Sequence, residues 1–150
     1  MNQLYVVDTC AIISYFKDIL QQGATNSISD SSLKIIDKAF TNNEIKLIFP
    51  AVIFIELYDK WFNTIEDASR IYSEIYLKIF NQENMEIQPL DKEILENFIK
   101  ITDIESNHKF DNHDKQVLAS AMTMQCTLIT SDLPLIRYNG RKNVIPLILN

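Results

Sequence analysis

Short apolar runs rich in β-forming residues alternate with longer stretches of helical periodicity along the whole chain, and this alternation restricts the fold more than any other feature. Leu4-Tyr5-Val6-Val7, Lys46-Leu47-Ile48-Phe49, Met85 to Leu90 and Thr127-Leu128-Ile129-Thr130 read as strands, with Val144-Ile145-Pro146-Leu147 as a candidate last one. The most continuous of these runs lack a polar face, so they suit strands covered on both sides, as in a parallel sheet. Between them lie helical stretches. Ala11 to Leu20 follows a capping Thr9, and a second helix starts among the caps Ser29 to Ser32 and ends near Phe40. Pro50 closes the second strand and suits the first turn of a helical stretch running to about Asn81, broken near Asn63-Thr64. Asp91 caps a helix ending near Glu105, and Asp111 or Asn112 starts another that ends near Met124. Residues 21–30 form a polar loop. Strictly alternating strands and helices predict an α/β fold, a mostly parallel central sheet with helices on its faces. With 150 residues, no repeat and no linker, one domain over residues 1–150 is expected.

Composition removes several function classes. Only Gly23 and Gly140 are glycines, too few for a P-loop or a dinucleotide-binding fingerprint, which let the backbone approach phosphates through several close glycines. Cys10 and Cys126 have no metal-ligand spacing and sit in apolar sequence, so they read as two buried, reduced thiols of a cytoplasmic protein. No apolar run approaches the roughly 18 residues of a membrane span, and Met1-Asn2-Gln3-Leu4 lacks a signal-peptide pattern. The net charge of −6 counts against a nucleic-acid binder that works through a broad basic face.

Ligands of open parallel sheets bind beyond the carboxyl ends of the strands, so acids placed there carry the most information. Asp8 directly follows the first strand, and Asp132 follows Thr130 after Ser131. Glu56 and Asp114 lie in otherwise apolar helical sequence, where a carboxylate is expensive unless it is paired, protonated or bound to a metal. Taken singly, each has an ordinary role: Asp8 a helix cap, Asp132 a turn residue, Glu56 a solvated helix position, Asp114 a first-turn acid favoured by the helix dipole. Their conjunction on elements aimed at one crevice is what singles them out. No basic neighbour in sequence suggests a local salt bridge as the reason for Asp8, Glu56 or Asp132.

The ordered set Val7-Asp8-Thr9, Phe54-Ile55-Glu56-Leu57-Tyr58, Phe110-Asp111-Asn112-His113-Asp114 through Ala121, and Thr127 to Asp132 resembles the PIN-domain nucleases. In size and compactness the chain looks most like the VapC-type toxins of type II toxin–antitoxin pairs. The resemblance covers essentially the full chain and implies a three-layer α/β/α sandwich. It further implies that Asp8, Glu56, Asp114 and Asp132 form a catalytic, metal-binding acidic cluster with Asp111 as an auxiliary acid. Thr9 and Ser131 would be the hydroxyls that orient acids or metal-bound water. The implied activity is Mg²⁺- or Mn²⁺-dependent endoribonucleolytic hydrolysis of RNA, and the implied partners are an antitoxin protein and a second copy in a homodimer. An all-oxygen ligand set suits these hard ions.

His113 adjoins Asp114, but successive helical residues point about 100° apart, so it leaves the face Asp114 uses; His108 has less to recommend it. Two other classes compete. A PIN-like binding module without chemistry would have lost one of the four acids, and none is missing. A flavodoxin-like switch domain would carry an acid pair at the first strand end, where only Asp8 stands. Tyr15, Phe16, Tyr58, Trp61, Phe62, Tyr72 and Tyr76 form either a well-filled core or part of a partner groove. Residues 133–150 hold Arg137, Arg141 and Lys142 and no acid, so this stretch carries +3 and supplies the candidate RNA phosphate contacts.

Overall fold

A computed structural model describes residues 3–20, 28–101 and 111–150. Five strands, β1 (Gln3–Val7), β2 (Ile45–Pro50), β3 (Met85–Gln88), β4 (Thr127–Ile129) and β5 (Ile148–Leu149), form one sheet in the order β3-β2-β1-β4-β5. Every pairing is parallel. Successive residues of a strand face opposite sides of the sheet, and Val6, Val7, Leu47, Ile48 and Phe49 are all essentially inaccessible. Helices therefore cover both faces, giving the three-layer α/β/α arrangement. Burial of each such side chain contributes about 1.5–3 kcal/mol.

The sheet grows outward from β1 in one direction to β2 and β3 and in the other to β4 and β5. The switch point of this order lies between β1 and β4, the place where open α/β sheets form a crevice. Asp8 leaves β1 there, and Thr130, Ser131 and Asp132 leave β4 beside it.

Several local boundaries differ from those expected. Asp8, not Thr9, caps α1 (Thr9–Tyr15): its carboxylate accepts the Thr9 N–H. The helix expected to run to Leu20 breaks at Phe16 and resumes as α2 (Lys17–Leu20). The Ser14 hydroxyl donates back to the Cys10 carbonyl in this stretch, a bond that bends helices. After α3 (Asp30–Thr41) and β2, α4 (Ala51–Trp61) stops before the expected break, and Thr64 caps α5 (Ile65–Arg70). A π-helical segment, Ile71–Tyr76, links α5 to α6 (Leu77–Phe80) while keeping Ile71, Ile75 and Ile79 buried. Phe80, at the end of α6, is exposed.

The helix α7 (Lys92–Lys100) is capped by Asp91 and closes at Ile101; its expected extension to Glu105 falls outside the described residues, as does most of the polar loop 21–30. Next, α8 (Asn112–Met124) has the expected bounds with Asp111 as its cap. Within the basic stretch after Asp132, Leu133–Lys142 form α9, closed by Asn143 in the left-handed region. The last strand is Ile148–Leu149, not Val144 to Leu147, because Leu128 pairs with Ile148 and Ile129 with Leu149. Among the described residues no helix is long and apolar enough to cross a membrane.

Candidate active site

Asp8 is buried at the end of β1 with both carboxylate oxygens engaged. Oδ1 accepts the Thr9 N–H at 2.7 Å, and Oδ2 accepts the Thr130 hydroxyl at 2.6 Å. Thr130 in turn accepts the Asp132 N–H at 3.0 Å, so one hydroxyl ties the two strand ends together. Asp132 sits at the N-cap of α9, where a cap side chain ordinarily takes the N–H of the second or third helical residue. Pro134 in this first turn has no N–H to offer. Among the described residues Asp132 Oδ1 is left buried without a hydrogen-bond partner.

Asp114 comes from the opposite side, on the first turn of α8, whose N-terminus is fixed by the Asp111 carboxylate accepting the Asp114 N–H at 2.8 Å. One ligand oxygen each of Asp8, Asp114 and Asp132 lies within 4.8 Å of the others. Glu56, from the second turn of α4, stands beside this group. Its Oε2 accepts the Thr9 hydroxyl at 2.7 Å and its Oε1 the Lys60 ammonium at 2.7 Å. The expectation that no nearby basic residue accounts for Glu56 is thus overturned: Lys60 lies one turn further along the same helix, the spacing at which helical side chains meet.

The remaining candidates occupy distinct places. Asp111 is exposed and acts as the cap of α8, contributing its charge to the cluster without joining the converging oxygens. Ser131 donates its backbone N–H to Cys10 Sγ at 3.3 Å. His113 is half-buried and outside the converging group, and His108 lies outside the described residues. Arg137 projects from the middle of α9, and Arg141 and Lys142 from its last turn.

Sequence reasoning missed Thr130, Cys10 and Lys60. The register held the signal for Thr130: Val7 pairs with Ile129, so the next residues, Asp8 and Thr130, emerge side by side. Cys10 is only half-buried and its surroundings are polar, contrary to expectation. Its Sγ lies 3.8 Å from Asp8 Oδ2 and 3.5 Å from Thr130 Oγ1. Burial, with the charge of Asp8, pushes its thiol up to about 11, so it stays protonated and serves as a weak donor rather than a nucleophile.

Burial raises Asp8 from 3.8 to about 6, against the hydrogen bonds from Thr130 and Thr9, with Glu56 and Asp132 adding to the rise. Burial likewise raises Asp114, reinforced by the charges of Asp132, Asp8, Asp111 and Glu56. Asp132 is raised by burial and by the charges of Asp111 and Glu56. Clustered carboxyls of this kind must share protons or be offset by a cation. A Thr130→Val variant removes the hydroxyl from buried Asp8 Oδ2; a loss of about 1–3 kcal/mol of unfolding free energy is expected in urea melts.

The donor set tests well against a divalent cation. It consists of carboxylate oxygens, which suit Mg²⁺ or Mn²⁺ and not zinc. It also includes a buried oxygen on Asp132 that has no hydrogen-bond partner among the described residues. Among the described residues no cysteine or histidine joins it.

Comparison with known proteins bears on the family and the fold. The family model described as "PIN domain" matches residues 6–141. No curated protein matches the chain in sequence. Among solved structures, the fold is similar to a chain of VapBC2 from Rickettsia felis, solved bound to a DNA fragment from its promoter. That match has a TM-score of 0.63 and 14% identity, covering 99% of this chain and 100% of that one. It is similar as well to a chain of VapBC-1 from nontypeable Haemophilus influenzae, with a TM-score of 0.62 and 16% identity over 97% of this chain and 96% of that one. For a chain of FitAcB from Neisseria gonorrhoeae the values are 0.61 and 14%, over 97% and 96%. At such identities the likeness shows the fold alone, whereas the family model spans nearly the whole chain. The chain belongs to the PIN-domain family.

Proposed function

We propose that this chain is a divalent-metal-dependent endoribonuclease and the toxin of a toxin–antitoxin pair. The observation that carries the reading is the convergence of Asp8, Asp114 and Asp132 at the switch point of the sheet, with a buried oxygen of Asp132 left unpaired among the described residues. These three aspartates would hold Mg²⁺ or Mn²⁺. A bound ion supplies Lewis-acid polarisation of a phosphoryl oxygen and eases deprotonation of an attacking water.

The protein's own groups set the geometry. Thr9 N–H and the Thr130 hydroxyl fix both oxygens of Asp8, so its carboxylate is presented in one orientation. The α8 cap fixes the turn from which Asp114 projects. The Thr9 hydroxyl holds Glu56 beside the aspartates. Arg137, Arg141 and Lys142 are proposed phosphate contacts along α9. About 13 Å of helix separates Asp132 from Arg141, by the rise of 1.5 Å per residue, so their reach lies along the RNA strand and away from the bond to be cut.

The partner assignment has its own support. Phe54, Ile55, Tyr58, Asp59, Tyr72 and Tyr76 line an open, largely apolar cleft of about 530 Å³, and Ile55 and Tyr72 are more than half exposed. Apolar surface of this kind marks an interaction site. By the resemblance to VapC-type toxins, an antitoxin segment, or the second copy of a homodimer, would cover it. Tyr15 and Phe16 instead pack against Phe40.

Incubation of the purified protein with a panel of structured RNAs tests the reading. Cleavage in Mn²⁺ or Mg²⁺ that stops with EDTA is expected; intact RNA in both metals would sink it.

A further inference from the structure

Both oxygens of Glu56 are already taken, one by the Thr9 hydroxyl and one by the Lys60 ammonium, each at 2.7 Å. Glu56 therefore stands beside the three converging aspartates with one of its oxygens already facing a cation. Lys60 is no ordinary surface partner. The Glu56 carboxylate is nearly covered, with 13% of the side chain exposed, while Lys60 is half exposed at 51%. The charges of Asp8 and Asp114 act on Lys60 along with that of Glu56. The ammonium thus lies in the field of the same carboxyls that would bind a metal. Among the described residues the other ion pairs, Lys38 with Glu44 and Lys46 with Glu86, do not involve the cluster.

A second divalent ion held between Glu56 and the aspartates would have to displace this ammonium, and while Lys60 stays it would meet like charge at close range. We propose that Lys60 is a built-in cation that keeps Glu56 out of the coordination set and limits the centre to a single divalent ion, bound by Asp8, Asp114 and Asp132. This rests on the metal-dependent reading above and specifies its stoichiometry. Lys60 is a positioning residue here, acting through Glu56. It supplies permanently, from the chain, part of the positive charge that a two-ion site draws from its second metal.

Mn²⁺ titration of the intact protein without RNA, followed through the electron paramagnetic resonance of free Mn²⁺, tests the proposal. Wild type should hold one ion per chain, and Lys60→Arg also one. Lys60→Met should hold two, the first bound at least about tenfold more tightly, because one positive charge has left the site. Adding Glu56→Gln to Lys60→Met should return the count to one, since the freed ligand is then gone. Lys60→Gln gives the same reading as Lys60→Met should the latter fold poorly. Two ions in wild type, or one ion with unchanged affinity in Lys60→Met, would overturn the proposal while leaving metal-dependent cleavage intact. No ion in wild type would instead overturn the metal-dependent reading, and the proposal with it.

Discussion

Replacing Asp114 with asparagine is expected to abolish metal-dependent RNA cleavage, by at least about a hundredfold, and at the same time to stabilise the metal-free protein. The loss follows from the site. Asp114 supplies one of three converging oxygens, and outer-shell changes alone commonly cost 10–100-fold in metal affinity or activity. The gain in stability follows from the same clustering. Burial and the charges of Asp132, Asp8, Asp111 and Glu56 make an ionised Asp114 costly at neutral pH, and an amide of the same shape carries no charge. Helix α8 should survive the change, because its cap is Asp111 and the bonded group on Asp114 is its backbone N–H. Single-turnover cleavage and a thermal melt in EDTA, on the same preparation, check the two effects together. A variant that is both inactive and less stable would indicate a purely structural aspartate.

The second large effect is a stability that falls as pH rises when metal is absent. Asp8 titrates near 6 in the folded chain, against an ordinary value of 3.8. Its folded state thus binds the proton more tightly than the unfolded one. The resulting stability is fully present below about 3.8 and is lost as pH climbs through about 6. A shift of roughly two units amounts to about 3 kcal/mol. For a domain of this size that corresponds to a melting temperature lower by roughly 6–12 °C. Asp114 and Asp132 are raised as well and push in the same direction. Calorimetric scans in EDTA from pH 4 to pH 8 should show the decline, and Asp8→Asn should flatten it. Saturating Mn²⁺ at pH 7.5 should restore stability by about 2.7 kcal/mol at a hundredfold excess over its dissociation constant. A melting temperature indifferent to both pH and Mn²⁺ would remove the electrostatic argument for the site.

Much of this was legible in the chain because burial leaves a mark on composition. Val6-Val7 and Leu47-Ile48-Phe49 have no polar alternation, and strands of that kind lie inside a parallel sheet. Acids at strand ends and inside apolar helices carry a desolvation cost that demands a reason, and this pointed to Asp8, Glu56, Asp114 and Asp132 before any coordinates. What escaped depended on local geometry with little compositional trace. The π-helical turn at Ile71–Tyr76 preserves the same buried isoleucines that a plain α-helix would bury. Helix α9 contains Pro134 and Gly140, both poor helix formers, and the proline is tolerated because it sits in the first turn. Thr130 became visible only through strand register, and Lys60 only through the one-turn spacing from Glu56.

The account stands most directly on where a divalent ion goes. Crystals soaked in Mn²⁺ and measured for anomalous scattering should show one ion per chain, within bonding distance of carboxylate oxygens of Asp8, Asp114 and Asp132 and not of Glu56. The same peak should be missing from Asp114→Asn crystals. Manganese bound elsewhere, or absent from these three carboxylates at saturating concentration, would contradict it.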